Sequence, residues 1–169
     1  MPPGDDSAIS IRPAEEADAD AIWPIFEEVV RAGDTYAFDP EIGREEGIAA
    51  WMAPGVRCYV AEVGGAVAGT YVLKPNQLGL GSHVANASYM VASATRGQGV
   101  GLAMGEHSLE EARRLGFRAM QFNLVVATNE AAIVLWRRLG FEVAGRLPGA
   151  FRHRDGRYLD ALVMYRSLV

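Results

Sequence analysis

The chain has 169 residues, half of them hydrophobic and 22% charged, with a net charge of −5. That composition suits one globular domain with a sizeable core, and it excludes a strong basic field for nucleic acid or an anionic membrane. The single cysteine, Cys58, excludes an intramolecular disulfide and a cysteine-rich metal site. No apolar run reaches the length of a membrane span. The opening MPPGDDSAIS lacks the basic-then-apolar order of a secretion signal. The expectation is a soluble cytoplasmic protein, with residues 1–7 a flexible tail and residues 8–169 one domain.

AISIRPA reads as a short strand ending at Pro13. From Asp18, a candidate cap, to Val30, the residues Ile22, Ile25, Phe26, Val29 and Val30 keep helical spacing. Pro24 fits that helix only in its first turn or at a kink. RAGDTYAFDPEIG is a long loop carrying aromatic residues, a form that suits substrate contact. EEGIAAWMA is a second short helix, stopped by Pro54-Gly55. VRCYVAEV and AVAGTYVLKP flank Gly64-Gly65 as a hairpin, and the alternation around Cys58 makes it a small buried hydrophobe. HVANASYMV is a further strand. Gly99 to Leu115 places Leu102, Leu109, Ala112 and Leu115 on one helical face, with Gly116 positioned to end it. FRAMQFNLVV is a strand, and NEAAIVLWRRLG a helix between Asn129 and Gly140. FEVAGRL and RYLDALVMYRSL are the last strands, joined by PGAFRHRDG. The order β-α-α-β-β-β-α-β-α-β-β argues one α+β domain with a mixed sheet. Its step through SATRGQGVG should join parallel strands by a right-handed crossover.

That stretch, Ser93 to Gly101, alternates Gly97, Gly99 and Gly101 where a strand hands over to a helix. Glycine is costly to order, so the position asks for a reason. The first N–H groups of a helix lack intrahelical partners and sit at its positive end, a ready anion site. Arg96 would add a charge-assisted contact. A P-loop requires Gly-Lys-Ser/Thr, but Leu102-Ala103 follows Gly101. The dinucleotide fingerprint fails as well, since its third glycine would fall on Leu102 or Met104. A tight turn with close helix–sheet packing is the plain alternative.

YMVASATRGQGVGLAMGEHSLEEARRLGF resembles the acetyl-CoA segment of the GCN5-related N-acetyltransferase (GNAT) superfamily. The superfamily motif Arg/Gln-x-x-Gly-x-Gly/Ala takes Arg96, Gly99 and Gly101 in register. NEAAIVLWRRLGF is similar to a second motif, Asn-x-x-Ala-x-x-x-Tyr-x-x-x-Gly-Phe, through Asn129, Ala132, Gly140 and Phe141. The resemblance covers nearly the whole chain. It implies a single GNAT-like domain with a central mixed, mostly antiparallel sheet of about seven strands, flanking helices and a splayed pair of parallel strands. It implies an acetyl-CoA-dependent N-acetyltransferase whose acceptor amine, on a small molecule such as an amino acid or its analogue, attacks directly in a ternary complex. Acetyl-CoA is then the cosubstrate, no metal is needed, and a homodimer is common among such proteins.

By the same resemblance the strand at Tyr89, Met90 and Val91 splays from its neighbour, and the Val91 N–H polarises the acetyl carbonyl. Negative charge develops on that oxygen, so a fixed donor there lowers the barrier. Met90, Val91, Arg96, Gly97, Gln98, Gly99, Val100, Gly101 and Leu102 are expected to hold acetyl-CoA. Asn129 touches its arm or caps the helix, and the two roles are compatible. Trp136 stands where the family often has a tyrosine acting as general acid, and an indole donates an N–H but does not usefully transfer a proton. His83, Glu27, Glu28, Glu62 or a water chain are candidates for the base. Asn123, in the apolar run MQFNLVV, is expected to be semi-buried or in a cleft, where a buried amide needs partners; there it would orient acetyl group or substrate. Thr35, Tyr36 and Phe38 are candidates for the acceptor wall, or hold their loop to the core. Arg152 and Arg154 could meet a substrate carboxylate or stay solvated, and Asp160 reads as a structural hydrogen-bonding residue. GDTYAFDPE is loosely similar to the phosphinothricin-type acetyltransferases, and MQFNLVVATN, Trp136 and GRLPGAF to those acting on proline analogues such as azetidine-2-carboxylate. The rival readings are acetylation of a protein N-terminus or lysine, and a non-catalytic CoA-binding protein, which Trp136 would favour.

Overall fold

The computed structural model describes residues 8–169, so the expected tail at 1–7 lies outside the described residues. Seven strands form one sheet: β1 (Ile9–Pro13), β2 (Arg57–Val63), β3 (Ala66–Pro75), β4 (Val84–Val91), β5 (Ala119–Val126), β6 (Glu142–Arg152) and β7 (Tyr158–Ser167). Their spatial order is β1-β2-β3-β4-β5-β7-β6. Every neighbouring pair is antiparallel except β4 and β5, which run parallel. The helices are α1 (Ala19–Ala32), α2 (Arg44–Trp51), α3 (Val100–Arg114) and α4 (Glu130–Arg138). This is the α+β architecture that the element order implies. No helix among the described residues is long and apolar enough to cross a membrane.

Strand alternation sends consecutive residues to opposite faces, so the central strands feed two cores. Val60, Val72 and Met90 pack under α1 and α2 with Ile22, Phe26 and Trp51. Tyr59, Tyr71, Leu73 and Phe122 pack under α3 and α4 with Met104, Leu109 and Trp136. Each fully buried aliphatic or aromatic side chain contributes about 1.5–3 kcal/mol relative to exposure. Helix α3 lies close on the sheet because Gly69 has no side chain: a Cβ there would fall 2.9 Å from Val100 and Met104.

Both helices that border the splayed strands end in the same stop. Gly116 donates to Arg113 O and Phe117 to Ala112 O; Gly140 donates to Arg137 O and Phe141 to Trp136 O. Gly116 and Gly140 have φ of 85° and 82°, the left-handed C′ position for which glycine is suited.

Of the two places allowed for Pro24, the first turn is excluded, since it lies further inside α1. Two local readings need correction. Asp18 makes no side-chain cap on α1; its carboxylate instead accepts the Glu15 N–H at 2.7 Å and pairs with Arg12 at 2.8 Å. PGAFRHRDG is not all loop, since β6 continues to Arg152. The register shifts between Leu147 and Phe151, so Pro148, Gly149 and Ala150 form a bulge. β6 is an edge strand, where a missing proline N–H costs no ladder bond.

The parallel pair shapes the site. β4 and β5 pair only at Val84 with Ala119 and Ala85 with Met120. Beyond that point β5 keeps its pairing with β7 and β4 its pairing with β3, and the two strands part.

Candidate active site

A cleft of about 930 Å³ opens where β4 and β5 diverge. Ala92 donates its N–H to Ala68 O on β3 at 2.8 Å. Alternation therefore turns the main-chain groups of Val91 and Tyr89 away from β3, towards the cleft. Tyr89 shows this directly: its N–H donates to the Tyr36 hydroxyl at 2.8 Å, and its C=O accepts from the same hydroxyl at 2.6 Å. Tyr36 thus stands in for the β5 residue that would continue the ladder. Burial pushes its phenol up to about 12, so near neutral pH it keeps the proton it donates. At the base of the fork, Asn86 Nδ2 donates to Gln121 O at 3.0 Å and bridges the two strands just past their last paired residues.

At one end of the cleft lies the glycine loop. Gly97 and Gly99 have φ of 78° and 85°, conformations that exclude ordinary side chains at little cost only for glycine. Gly99 begins α3 with no side-chain cap and no acidic residue in the first turn. The first helical bond from this loop runs from Ala103 N to Gly99 O, which leaves the N–H groups of Val100, Gly101 and Leu102 outside the helical ladder. A Cβ on Gly101 would meet only ordinary contacts, 3.5 Å from Leu135 and 3.8 Å from Val91. Its bareness therefore keeps the cleft wall low rather than relieving a clash. Arg96 is exposed, lines the cleft and forms no ion pair among the described residues. An uncapped helix start, freed amides and a guanidinium fit a pyrophosphate. Gln98 lies outside the cleft lining; its side chain donates to Ala94 O at 3.4 Å and its N–H to Thr95 O at 3.3 Å.

Met90 and Val91 also line the cleft, as do Trp136 on α4 and Asn129 at its N-terminal cap. Asn129 Oδ1 accepts the Ala132 N–H at 3.3 Å, so the expected cap is present; its amide NH2 still borders the cleft. Trp136 is 8% exposed and packs on Tyr89 and Phe122, each with ring centroids 4.7 Å away. No buried polar side-chain atom lacks a partner among the described residues. Among the described residues the Trp136 indole has no hydrogen-bond partner, so its N–H retains access to open space, and Trp136 lines the cleft.

The loop after α1 borders the far end. Thr35, Tyr36 and Phe38 line the cleft there, and the same aromatics hold the loop to the core: Phe38 on Phe26 at 5.1 Å, Tyr36 on Trp51 at 6.5 Å. Asn123 lines the cleft but is exposed, not semi-buried. The β5–β7 register breaks between Phe122 and Val125, which turns Asn123 to the rim, where it donates to Asn76 Oδ1 at 2.7 Å and accepts from Gln121 Nε2 at 2.9 Å.

None of the expected base candidates lines the cleft. His83 is exposed ahead of β4, at the opposite end from Val91. Glu27 pairs with Arg31 and Glu62 with Arg12, each at 2.8 Å, and Glu28 accepts the Ser93 N–H at 3.4 Å. Cys58 lies 3.6 Å from Thr70 Oγ1, and burial pushes its thiol up to about 11. Asp160 is structural, accepting the Gly149 N–H at 2.9 Å and pairing with Arg146 at 2.6 Å. Arg152 and Arg154 border a separate pocket of about 230 Å³ behind Phe38. Among the described residues no cluster of His, Cys, Asp and Glu could hold a metal ion. Sequence reasoning passed over Asp34 and Asn86, which line the cleft. Asp34 had one usable signal, its place in the same suspect loop as Thr35 and Tyr36.

Residues 20–141 match the Acetyltransferase (GNAT) family. Over 97 residues the chain is 38% identical to N-acetyltransferase aca1 of Schizosaccharomyces pombe, covering 56% of this chain and 46% of that protein. Over 81 residues it is 36% identical to an L-methionine sulfoximine/L-methionine sulfone acetyltransferase of Pseudomonas aeruginosa, covering 48% of this chain and 46% of that protein. The chain thus spans about half the length of the curated relatives it matches. A GCN5-related N-acetyltransferase from Kribbella flavida superposes with a TM-score of 0.90 at 48% identity, over 95% of this chain and 98% of that one. The structure of yncA from Salmonella typhimurium with its cofactor acetyl-CoA superposes with a TM-score of 0.85 at 28% identity, over 96% and 95%.

Proposed function

Since the chain belongs to the GNAT acetyltransferase family, we propose that it transfers the acetyl group of acetyl-CoA to the amine of a small molecule, an amino acid or its analogue, within one ternary complex. The observation that carries this reading is the fork itself: cleft-facing main chain at Val91 leads directly into an uncapped, glycine-built helix start. Residues 8–169 act in this reading as one acetyltransferase domain.

Acetyl-CoA supplies an activated thioester. Arg96 and the free amides of Val100, Gly101 and Leu102 hold its pyrophosphate, while the main chain of Val91 pairs with its arm as a strand would and Met90, Gly97 and Gly99 line its path. Asn129 donates its amide NH2 to the same arm. The Val91 N–H meets the negative charge that develops on the carbonyl oxygen when the amine attacks. Tyr36, fixed on Tyr89, holds the strand that carries that donor. Trp136 packs beside the arm and offers its N–H to the sulfur. A small acceptor is supported by the aromatic wall of Tyr36 and Phe38 and by the Pseudomonas aeruginosa relative, an L-methionine sulfoximine/L-methionine sulfone acetyltransferase.

Thiol release, followed with DTNB across amino acids, methionine sulfone, polyamines, aminoglycosides and short peptides, tests the proposal. Turnover of small amines supports it. Turnover of peptides alone would replace it with protein acetylation. Tight acetyl-CoA binding without turnover of any amine would leave a CoA-binding protein.

A further inference from the structure

Among the described residues, the lining of the cleft carries two charged residues, Arg96 and Asp34. Arg96 belongs to the glycine loop. Asp34 lies two positions before Tyr36, whose hydroxyl sits on Tyr89, on the other side of Val91 from that loop. The cleft is therefore polarised, with its cation at the end fitted for an anion and its carboxylate at the end left for the acceptor.

Asp34 is held in place from both directions. Before it, Gly33 O accepts the Arg154 N–H at 2.9 Å, and Arg31 O accepts from Arg154 Nη1 at 3.0 Å. Gly33 has a φ of 63°, and a Cβ there would fall 2.6 Å from Arg154 Cβ, so this junction depends on glycine. After it comes the Tyr36 bridge. The Asp34 carboxylate itself is exposed and forms no ion pair among the described residues. Glu27, Glu62 and Asp18 all spend their charge on arginines. Arg154 lies next to this loop, but its guanidinium is turned to Arg31 O and forms no ion pair with Asp34. An anchored, unpaired carboxylate in the cleft lining attracts a cation, and an alkylamine, with a pKa of about 10.4, is a cation near neutral pH.

We propose that Asp34 binds the acceptor as its protonated ammonium, between the carboxylate and the rings of Tyr36 and Phe38. The substrate class is then a primary ammonium with an apolar or aromatic body. This rests on the acetyltransferase reading for the fate of the amine, but the binding site stands on the charge and geometry of the cleft alone.

2-Phenylethylamine and its neutral isostere 2-phenylethanol are suitable probes, titrated into the CoA-bound protein while the amide resonances of Tyr36 and Val91 are followed by NMR. The wild type should give saturable shifts with the amine. Asp34→Asn should weaken amine binding by about tenfold or more and leave the alcohol unchanged. Asp34→Glu should recover part of the loss. Acetyl-CoA affinity by calorimetry should stay within about twofold in both variants, since the pyrophosphate end is untouched. Absence of a saturable amine response in the wild type, or equal amine affinity in Asp34→Asn, overturns the proposal. Failure of the wild type to bind acetyl-CoA counts against the acetyltransferase reading instead, and the same amine titration run on the free protein then decides the role of Asp34.

Discussion

Tyr36→Phe removes one oxygen atom and two hydrogen bonds, at 2.8 Å from Tyr89 N–H and 2.6 Å to Tyr89 O. Each such bond contributes about 1 kcal/mol net, so the fold should lose about 2 kcal/mol. For a chain of this length that is a fall in Tm of about 4–8 °C. The catalytic cost should be larger than the structural one. Val91, two residues along the strand, carries the proposed oxyanion donor, and misplacing such a donor by about 1 Å costs about 100-fold in rate. The expected result in a DTNB assay is a kcat lower by about 10- to 100-fold. Acetyl-CoA affinity by calorimetry should change by less than about threefold, because the charged contacts sit at the start of α3. A variant with Tm within about 1 °C of wild type and kcat within about twofold would show that the hydroxyl holds nothing the reaction uses.

Gly99→Asp places a like charge beside the proposed pyrophosphate at a φ of 85° and should weaken acetyl-CoA binding about 100-fold or more. Gly99→Ala separates the causes: it should cost about 1–2 kcal/mol of stability through backbone strain, with a smaller loss of affinity in calorimetry. Trp136→Phe keeps an aromatic ring but removes the N–H proposed to meet the sulfur, so kcat should fall by about 10-fold, the worth of one hydrogen bond to a charged group; activity within about twofold of wild type would leave the ring a packing role alone. Glu111 is held down at about 2, chiefly by Arg114 and then by the Tyr59 hydroxyl. A depressed carboxyl stabilises the fold above its unfolded pKa, so Glu111→Gln should lower Tm at pH 7. Thermal melts of the two proteins should converge as pH falls from about 4.5 towards 2.

The parts of the site legible in sequence were those written in backbone chemistry. Gly97 and Gly99 occupy left-handed positions, Gly116 and Gly140 end their helices, and Asn129 caps α4. Each of these is a local requirement that a residue type announces. The misreadings came from long-range geometry. Pro148-Gly149 looked like a turn because nothing local says that β6 is an edge strand, where a bulge absorbs both residues. Of the two places expected for Asn123, half-buried or in a cleft, the cleft holds; the break between Phe122 and Val125 removes the alternation that argued for burial. The Tyr36 bridge to Tyr89 spans 53 positions, and no periodicity encodes it. Asp34 went unnoticed for a related reason: its importance lies in which other charges the cleft lacks.

The absent tyrosine at position 136 bears on proton balance in the proposed reaction. The phenol nearest to Trp136 is Tyr89, whose ring it packs against at 4.7 Å. That hydroxyl points into the core, shares a hydrogen bond with Ser108 at 2.7 Å, and burial raises its pKa. It cannot take over as an acid without breaking core contacts. The leaving group, however, can depart as the thiolate with the indole N–H donating to its sulfur. The proton that the amine sheds on attack passes to solvent, and the thiolate takes one from solvent once it is free. The kcat of this protein should therefore rise to a plateau with pH and stay flat to about pH 10, with no descending limb from a phenolic acid. Stopped-flow thiol release across that range is the measurement. A fall in kcat with an apparent pKa of about 9–10, retained in Trp136→Phe, would mean that a tyrosine elsewhere protonates the sulfur.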